Sequence, residues 1–303
     1  MYRIELGKSG LSVPTVAVGC MRIREMSEKE TAAFVDTCLE NGANFFDHAD
    51  IYGCGKSETV FGKAISAMRD KVILQTKCGI VRGKMYDFSY AHIMDSVEGS
   101  LKRLGTDHID VLLLHRPDAL MEPEEVARAF SDLKASGKVG HFGVSNQNTY
   151  QMQLLGNYLD VPICVNQLQF SIMHAPMIQS GINVNMCNDS AVNRDGGVLD
   201  YCRLNNITVQ TWSPLQYGFF EGCFVDNEKF PVLNQVLGDI AEKYAVSKTT
   251  VAIAWILRHP AKLQPITGTT NLARLRDCFQ AAQIKLSREE WYDIYKAAGN
   301  RLP

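Results

Sequence analysis

Apolar residues fall along this 303-residue chain in two alternating kinds of run. Short, almost continuous apolar stretches such as VILQ (72–75) and VLLL (111–114) are separated by longer stretches in which apolar positions recur every three or four residues. The first kind predicts strands covered on both faces, as in a parallel sheet, and the second predicts amphipathic helices. Candidate strands lie at 15–18, 44–46, 72–76, 110–114, 142–144, 163–168, 208–212 and 264–266. Helix signals sit between them. Ser27 with Glu30 forms a capping box at the start of a helix that runs to Glu40 and stops at Asn41-Gly42. A helix over 122–136 ends at Gly137, one over 248–258 ends before Pro260, and the last, over 287–298, opens on Ser287 and Glu290 and ends at Gly299. Eight strands alternating with helices predict either a (β/α)8 barrel or a doubly wound sheet. No G-x-G-x-x-G follows an early strand, and the strands recur without a linker-like break or repeat, so the expectation is a TIM barrel, one α/β domain over residues 1–303. An N-terminal β-hairpin around Gly7-Lys8-Ser9-Gly10 would close its bottom, and the last helix is an addition at the C-terminal end.

Composition narrows the class of function. The chain is 46% hydrophobic and 21% charged, with a net charge of −2 and no block of like charge. That excludes a nucleic-acid surface or a polybasic membrane contact. No apolar run approaches the ~18 residues of a membrane span, and the start shows no apolar core of a signal peptide. Nine dispersed cysteines, with no C-x-x-C and no finger-like spacing, predict reduced thiols, no metal site and a cytoplasmic protein. The helices show no heptad, so the oligomeric state is not legible.

In a barrel, chemistry collects at the C-terminal ends of the strands. The segment NFFDHADIYG (44–53) supplies Asp47, His48 and Tyr52 there, and the third and fourth strands supply Lys77 and His115. Taken singly, the Asp and Lys make a rim ion pair and the histidine a satisfied core residue. Taken together they make a proton donor. A phenol titrates near 10; a nearby ammonium would lower that value, a carboxylate would hold the ammonium, and a histidine would hydrogen-bond a carbonyl oxygen. That set fits reduction of a carbonyl by a hydride cofactor. His48 either touches a ligand or belongs to the core. DIYGCGKS also approaches the P-loop pattern, but Asp50 stands where the first glycine is required, so Ser57 is read as the N-cap of a helix beginning near Glu58.

NFFDHADIYG, ILQTKCG, DVLLLHRPD, GVSN, VNQ and WSPL occur in this order, and the set is similar to the aldo-keto reductase superfamily across essentially the whole chain. It most resembles the bacterial branch of general NADPH-dependent oxidoreductases. The resemblance implies a (β/α)8 barrel without a metal. Tyr52 would be the acid/base, Lys77 and Asp47 would tune it, and His115 would orient the carbonyl. Ser145, Asn146 and Gln167 would hold the nicotinamide carboxamide, and Trp212, followed by Ser213, Pro214 and Leu215, would stack on its ring. Met21 and Arg22 would lie near the ribose and pyrophosphate. In ITGTTNLARLRDCFQ (266–280), Gly268, Thr269 and Thr270 lead into a helix opening near Asn271, whose free N–H groups favour a phosphate. Arg274 on its first turn suits a 2′-phosphate or adenine. Asp277 and Cys278 stand at the family's adenine-contact positions. NADPH/NADP+ is therefore the expected cofactor. NADH stays possible, because the family's lysine is absent at Thr267-Gly268. The aromatic-rich loops 79–90 and 217–231 would wall an apolar pocket, and the resemblance implies an open site with broad aldehyde, ketone or quinone acceptance. The alternative is a cofactor-binding regulatory subunit of the same fold with little turnover.

Overall fold

The computed structural model describes residues 1–303. Eight parallel strands close into a barrel: β1 (Ala17–Gly19), β2 (Phe45–Asp47), β3 (Ile73–Cys78), β4 (Ile109–Leu114), β5 (Val139–Ser145), β6 (Ile163–Gln169), β7 (Thr208–Trp212) and β8 (Gln264–Thr267). Neighbours pair in chain order, and β8 closes onto β1 through Ile266 with Ala17 and Thr267 with Val18. Helices α1 (Glu28–Glu40), α2 (Lys56–Ile65), α3 (Tyr90–Leu104), α4 (Pro123–Ala135) and α5 (Thr149–Gly156) each follow one strand. The last three strands are followed by pairs: α6 (Pro176–Ile182) and α7 (Val198–Asn205), α8 (Pro231–Tyr244) and α9 (Lys248–Leu257), α10 (Leu272–Gln280) and α11 (Arg288–Ala297). Both expected capping boxes form, Ser27 with Glu30 on α1 and Ser287 with Glu290 on α11. No helix is long and apolar enough to cross a membrane.

Side chains alternate across each strand. On β3, Leu74 and Cys78 face the helices and Thr76 bonds Glu58 of α2, whereas Ile73, Gln75 and Lys77 point into the barrel. The layer between barrel and helices is the larger core; in it Phe130 of α4 stacks on Phe142 of β5 at 4.1 Å. A second cluster fills the lower barrel: Phe45, Ile73, Val111, Leu113 and Val165, capped by Leu6 and Val13 of the N-terminal hairpin. That hairpin pairs Arg3–Glu5 with Ser12–Pro14 and seals the bottom, as expected. Its Gly7 sits at φ 54°, where an added Cβ would collide with the Cys164 carbonyl. Its N–H donates to Thr208 Oγ1 at 2.8 Å, and its carbonyl accepts from Asn206 Nδ2 at 3.0 Å.

Two expectations change. Ser57 does not cap α2. The helix begins at Lys56, its N-cap is Gly55 at φ 85°, and Ser57 is buried with Oγ 3.4 Å from the Met21 carbonyl. Glycine wins the cap because the turn demands a left-handed backbone. The space beside Gly55 is filled by Arg103, so the P-loop-like stretch has no phosphate cradle. The two long loops also carry structure of their own: Ile80–Val81 pairs with Met85–Tyr86, and Gln216–Tyr217 pairs with Gly222–Cys223.

Candidate active site

Asp47 ends β2, Lys77 lies on β3 and His115 follows β4. Sequence spacing puts Lys77 just past its strand, but β3 runs on to Cys78, so this lysine points inward from within the barrel wall. A tight turn, with Tyr52 N–H donating to the Ala49 carbonyl at 3.1 Å, swings Tyr52 back over the same mouth. Lys77 Nζ donates to both Asp47 oxygens at 2.7 and 2.8 Å and to the His48 carbonyl at 2.7 Å, and it stands 3.3 Å from the Tyr52 hydroxyl. The His115 ring meets Tyr52 edge-on, with centroids 5.9 Å apart.

Charge states follow from burial and neighbours. Burial would lower the Lys77 pKa, but Asp47 and then Tyr52 outweigh it and hold the ammonium above its ordinary value. Tyr52 departs from expectation: burial raises its hydroxyl above the usual phenol value, and the opposing pull of Lys77 does not overcome it. The phenol is therefore a protonated donor at neutral pH. Burial, then Lys77 and Arg116, push His115 well below its ordinary value, leaving a neutral imidazole. His48 belongs to the core. It is fully buried 4.5 Å from the Phe61 ring, both ring nitrogens lack partners, and burial drives it down to about 3.

Below Asp47 runs a feature that the strand-end survey missed. Asp47 Oδ1 accepts from Gln75 Nε2 at 2.6 Å and Gln167 Nε2 at 3.1 Å. Both amides also donate to Gln210 Oε1, at 2.7 and 3.1 Å. Gln210 Nε2 donates to Gln264 Oε1 at 2.9 Å, and Gln264 Nε2 to the Pro14 carbonyl at 2.6 Å. Carboxylate and carbonyl only accept, so the two ends of the chain set the sense of every amide between them. The Gln167 nitrogen is thereby committed, and its Oε1 is the free atom. A signal existed: Gln75 and Lys77 are two apart in an apolar strand, so they share the inward face.

A cleft of about 710 Å³ spreads from Tyr52, His115 and Asp47 across the mouth to α10. The expected cofactor positions Met21, Arg22, Ser145, Asn146, Gln167, Trp212, Ser213, Pro214, Leu215, Gly268, Thr269, Thr270, Arg274 and Cys278 all line it. Lys77 lies beneath it. Asp277 is not among the lining residues. Arg274 and Cys278 are four apart on α10 and both line the cleft, whereas the Asp277 carbonyl accepts from Thr250 Oγ1 at 2.9 Å. Asn146 donates to Ser145 Oγ at 2.7 Å and accepts from Trp212 Nε1 at 3.2 Å, which ties β5 to β7. Asn146 and Ser213 hold left-handed φ values of 57° and 54°, a local strain typical of binding sites. Arg22 reaches over the mouth to the Gly268 carbonyl at 2.8 Å. Asn271 caps α10, its Oδ1 accepting from Arg274 N–H at 3.0 Å. Sequence reasoning passed over the lining residue Arg116, whereas Phe220 belongs to the loop 217–231 that was expected to wall the pocket. Phe220 lies near-parallel to Trp212, with centroids 5.9 Å apart.

Residues 15–298 match the model of the Aldo/keto reductase family. The chain is 37% identical to the uncharacterized oxidoreductase YcsN of Bacillus subtilis and 36% identical to a 6-dehydroglucose reductase of Agrobacterium fabrum, in each case over 98% of both chains. Its fold is similar to that of a thermostable aldo-keto reductase solved in complex with the inhibitor epalrestat. The TM-score is 0.80 and the identity 25%, covering 98% of this chain and 100% of that one.

Proposed function

Because this chain belongs to the aldo/keto reductase family, a family of nicotinamide-dependent carbonyl reductases, we propose that Tyr52 is its general acid, NADPH its preferred hydride donor and small aldehydes and ketones its substrates. The observation that carries the reading is the Lys77 ammonium, fully buried between Asp47 and the Tyr52 hydroxyl. When bound, the reduced nicotinamide supplies the hydride. Tyr52 gives its proton to the carbonyl oxygen as negative charge develops there, and Lys77 stabilises the phenolate left behind. Asp47 keeps Lys77 charged and in place. Neutral His115 donates a hydrogen bond to the same oxygen. In the reverse direction the phenolate accepts the alcohol proton.

The lining residues suit the cofactor. Gln167 Oε1 can accept from the carboxamide N–H₂, with Ser145 and Asn146 alongside, and Trp212 offers a flat face to the ring. Met21 and Arg22 cover the ribose and pyrophosphate. The N-terminus of α10 and residues 268–270 suit a phosphate, and Arg274 a 2′-phosphate. Similarity to a protein named as a 6-dehydroglucose reductase supports a small carbonyl substrate. All nine cysteines stand free, which fits a cytoplasmic setting. The regulatory-subunit alternative is the less supported reading, because all four residues proposed for the proton donor and its support are present.

Tryptophan fluorescence tests the cofactor assignment, because Trp212 lines the cleft while Trp255 and Trp291 stack on each other in the helical layer. Titration with NADPH, NADH and ATP is expected to give the strongest quenching with NADPH. Arg274→Met should cut the NADPH preference by roughly 10-fold. Equal response to NADPH and NADH would contradict the 2′-phosphate site, and response to ATP alone would contradict the whole reading. Turnover of a carbonyl panel then separates a reductase from a cofactor-binding subunit.

A further inference from the structure

One cation in the substrate half of the cleft has no partner. Arg116 follows His115 directly in the chain and lines the cleft beside Tyr52 and Trp212. Its guanidinium enters no ion pair and no hydrogen bond, and rests over the Trp212 ring, 5.6 Å from the centroid. The other charges around the mouth are committed. Lys77 is held by Asp47, Arg22 by the Gly268 carbonyl, and Asp226 by Lys248 at 2.7 Å. Arg274 lies at the far end, on α10. Ile51, Ile80 and Phe220 add apolar surface to the cleft lining.

We propose that Arg116 recognises an anionic group on the substrate, so that the preferred substrates are carbonyl compounds carrying a carboxylate: aldehyde acids or keto acids with a short or aromatic spacer. The proposal rests on the reductase reading of the same cleft. A guanidinium presents several N–H donors in one plane, matched to the two oxygens of a carboxylate. The aromatic face beneath it limits its rotamers and excludes water from one side, which strengthens a charge-assisted pair relative to one in open solvent. Arg116 and His115 are neighbours in the chain and both line the cleft that Tyr52 lines, so one bound substrate can meet all three. No free carboxylate lines the cleft to compete for it, because Asp47 and Asp226 are both paired.

The test compares 3- and 4-carboxybenzaldehyde with 3- and 4-methylbenzaldehyde, pairs that differ in charge at nearly constant size. In the wild-type protein kcat/KM is expected to favour a carboxylate by about 10-fold or more, and Arg116→Met should reduce that ratio by about 10- to 100-fold. Arg116→Lys should keep part of it. The preference should also shrink from low to high salt, as screening requires. A binding measurement independent of turnover runs alongside: benzoate should perturb Trp212 fluorescence at lower concentration than benzamide, and Arg116→Met should remove the difference. A wild-type ratio near one, or a ratio unchanged in Arg116→Met while both aldehydes are reduced, overturns the proposal and leaves the reductase reading standing. Reduction of neither aldehyde, with NADPH or NADH, overturns both.

Discussion

The two ends of the barrel are built from the same strands and do opposite things. At the bottom, β2 and β3 contribute Phe45 and Ile73, which pack with Val165 beneath the hairpin residues Leu6 and Val13. Two to four residues further along, the same inward faces carry Asp47, Gln75 and Lys77. A short step along a strand thus turns a sealed apolar plug into a buried ion pair under an open cleft. Alternation decides which side chains point inward, and distance from the hairpin decides whether they meet hydrocarbon or other polar groups. One connection crosses between the ends, the glutamine chain from the Pro14 carbonyl through Gln264, Gln210 and Gln75 to Asp47. TIM-barrel interiors are usually filled by branched apolar residues, so this polar seam is where the packed interior and the proposed chemistry share atoms.

Variants at each end should separate these roles. The largest effect is expected at the mouth. Asp47→Asn leaves Lys77 buried without its counter-charge, at a cost of about 3–5 kcal/mol of stability by urea denaturation, together with loss of most carbonyl reduction. Gln210→Leu tests the connection. It removes the acceptor shared by Gln75 and Gln167 and orphans Gln264 Oε1, so both stability (about 1–3 kcal/mol) and kcat should fall. An effect on stability alone would mean that the chain does not support Asp47. Gly7→Ala tests the bottom. The left-handed φ and the collision with Cys164 should cost about 1–3 kcal/mol, with kcat within about twofold of wild type; a large drop in kcat would break the division of labour.

A further effect depends on pH. His48 is neutral in the fold, with its pKa down at about 3 against an ordinary value of 6.5. Between those values the unfolded chain binds a proton that the folded chain does not, so stability is lost as pH falls below 6.5. Relative to His48→Leu, the wild type should lose up to about 1.4 kcal/mol per pH unit over that window. Parallel pH profiles of stability for the two proteins would show that His48 does not titrate with folding.

The architecture was legible because parallel strands buried on both faces leave unbroken apolar runs, and all eight predicted strands coincide with barrel strands. Their ends were less so. Hydrophobicity stops at Leu74, yet β3 continues to Cys78 because its inward positions, Gln75 and Lys77, find polar partners inside the barrel. Asp47, Tyr52, Lys77 and His115, the residues proposed as proton donor and its support, stood out because polar groups follow apolar runs. Gln210 and Gln264 did not, since each sits inside a strand and only the closed barrel shows that they touch. Arg116 was overlooked because its neighbour His115 already accounted for that strand end. The raised Tyr52 pKa was hidden for a different reason: spacing reveals that Lys77 is near, but not how deeply the phenol is buried.

Consumption of NADPH with an aromatic aldehyde, in wild type and Tyr52→Phe side by side and with NADPH affinity measured on the same samples, tests the assignment of chemistry to the mouth most directly. Loss of the hydroxyl should lower turnover by about 10²- to 10⁴-fold while cofactor binding stays as in wild type. Turnover in Tyr52→Phe equal to that of the wild type would contradict it.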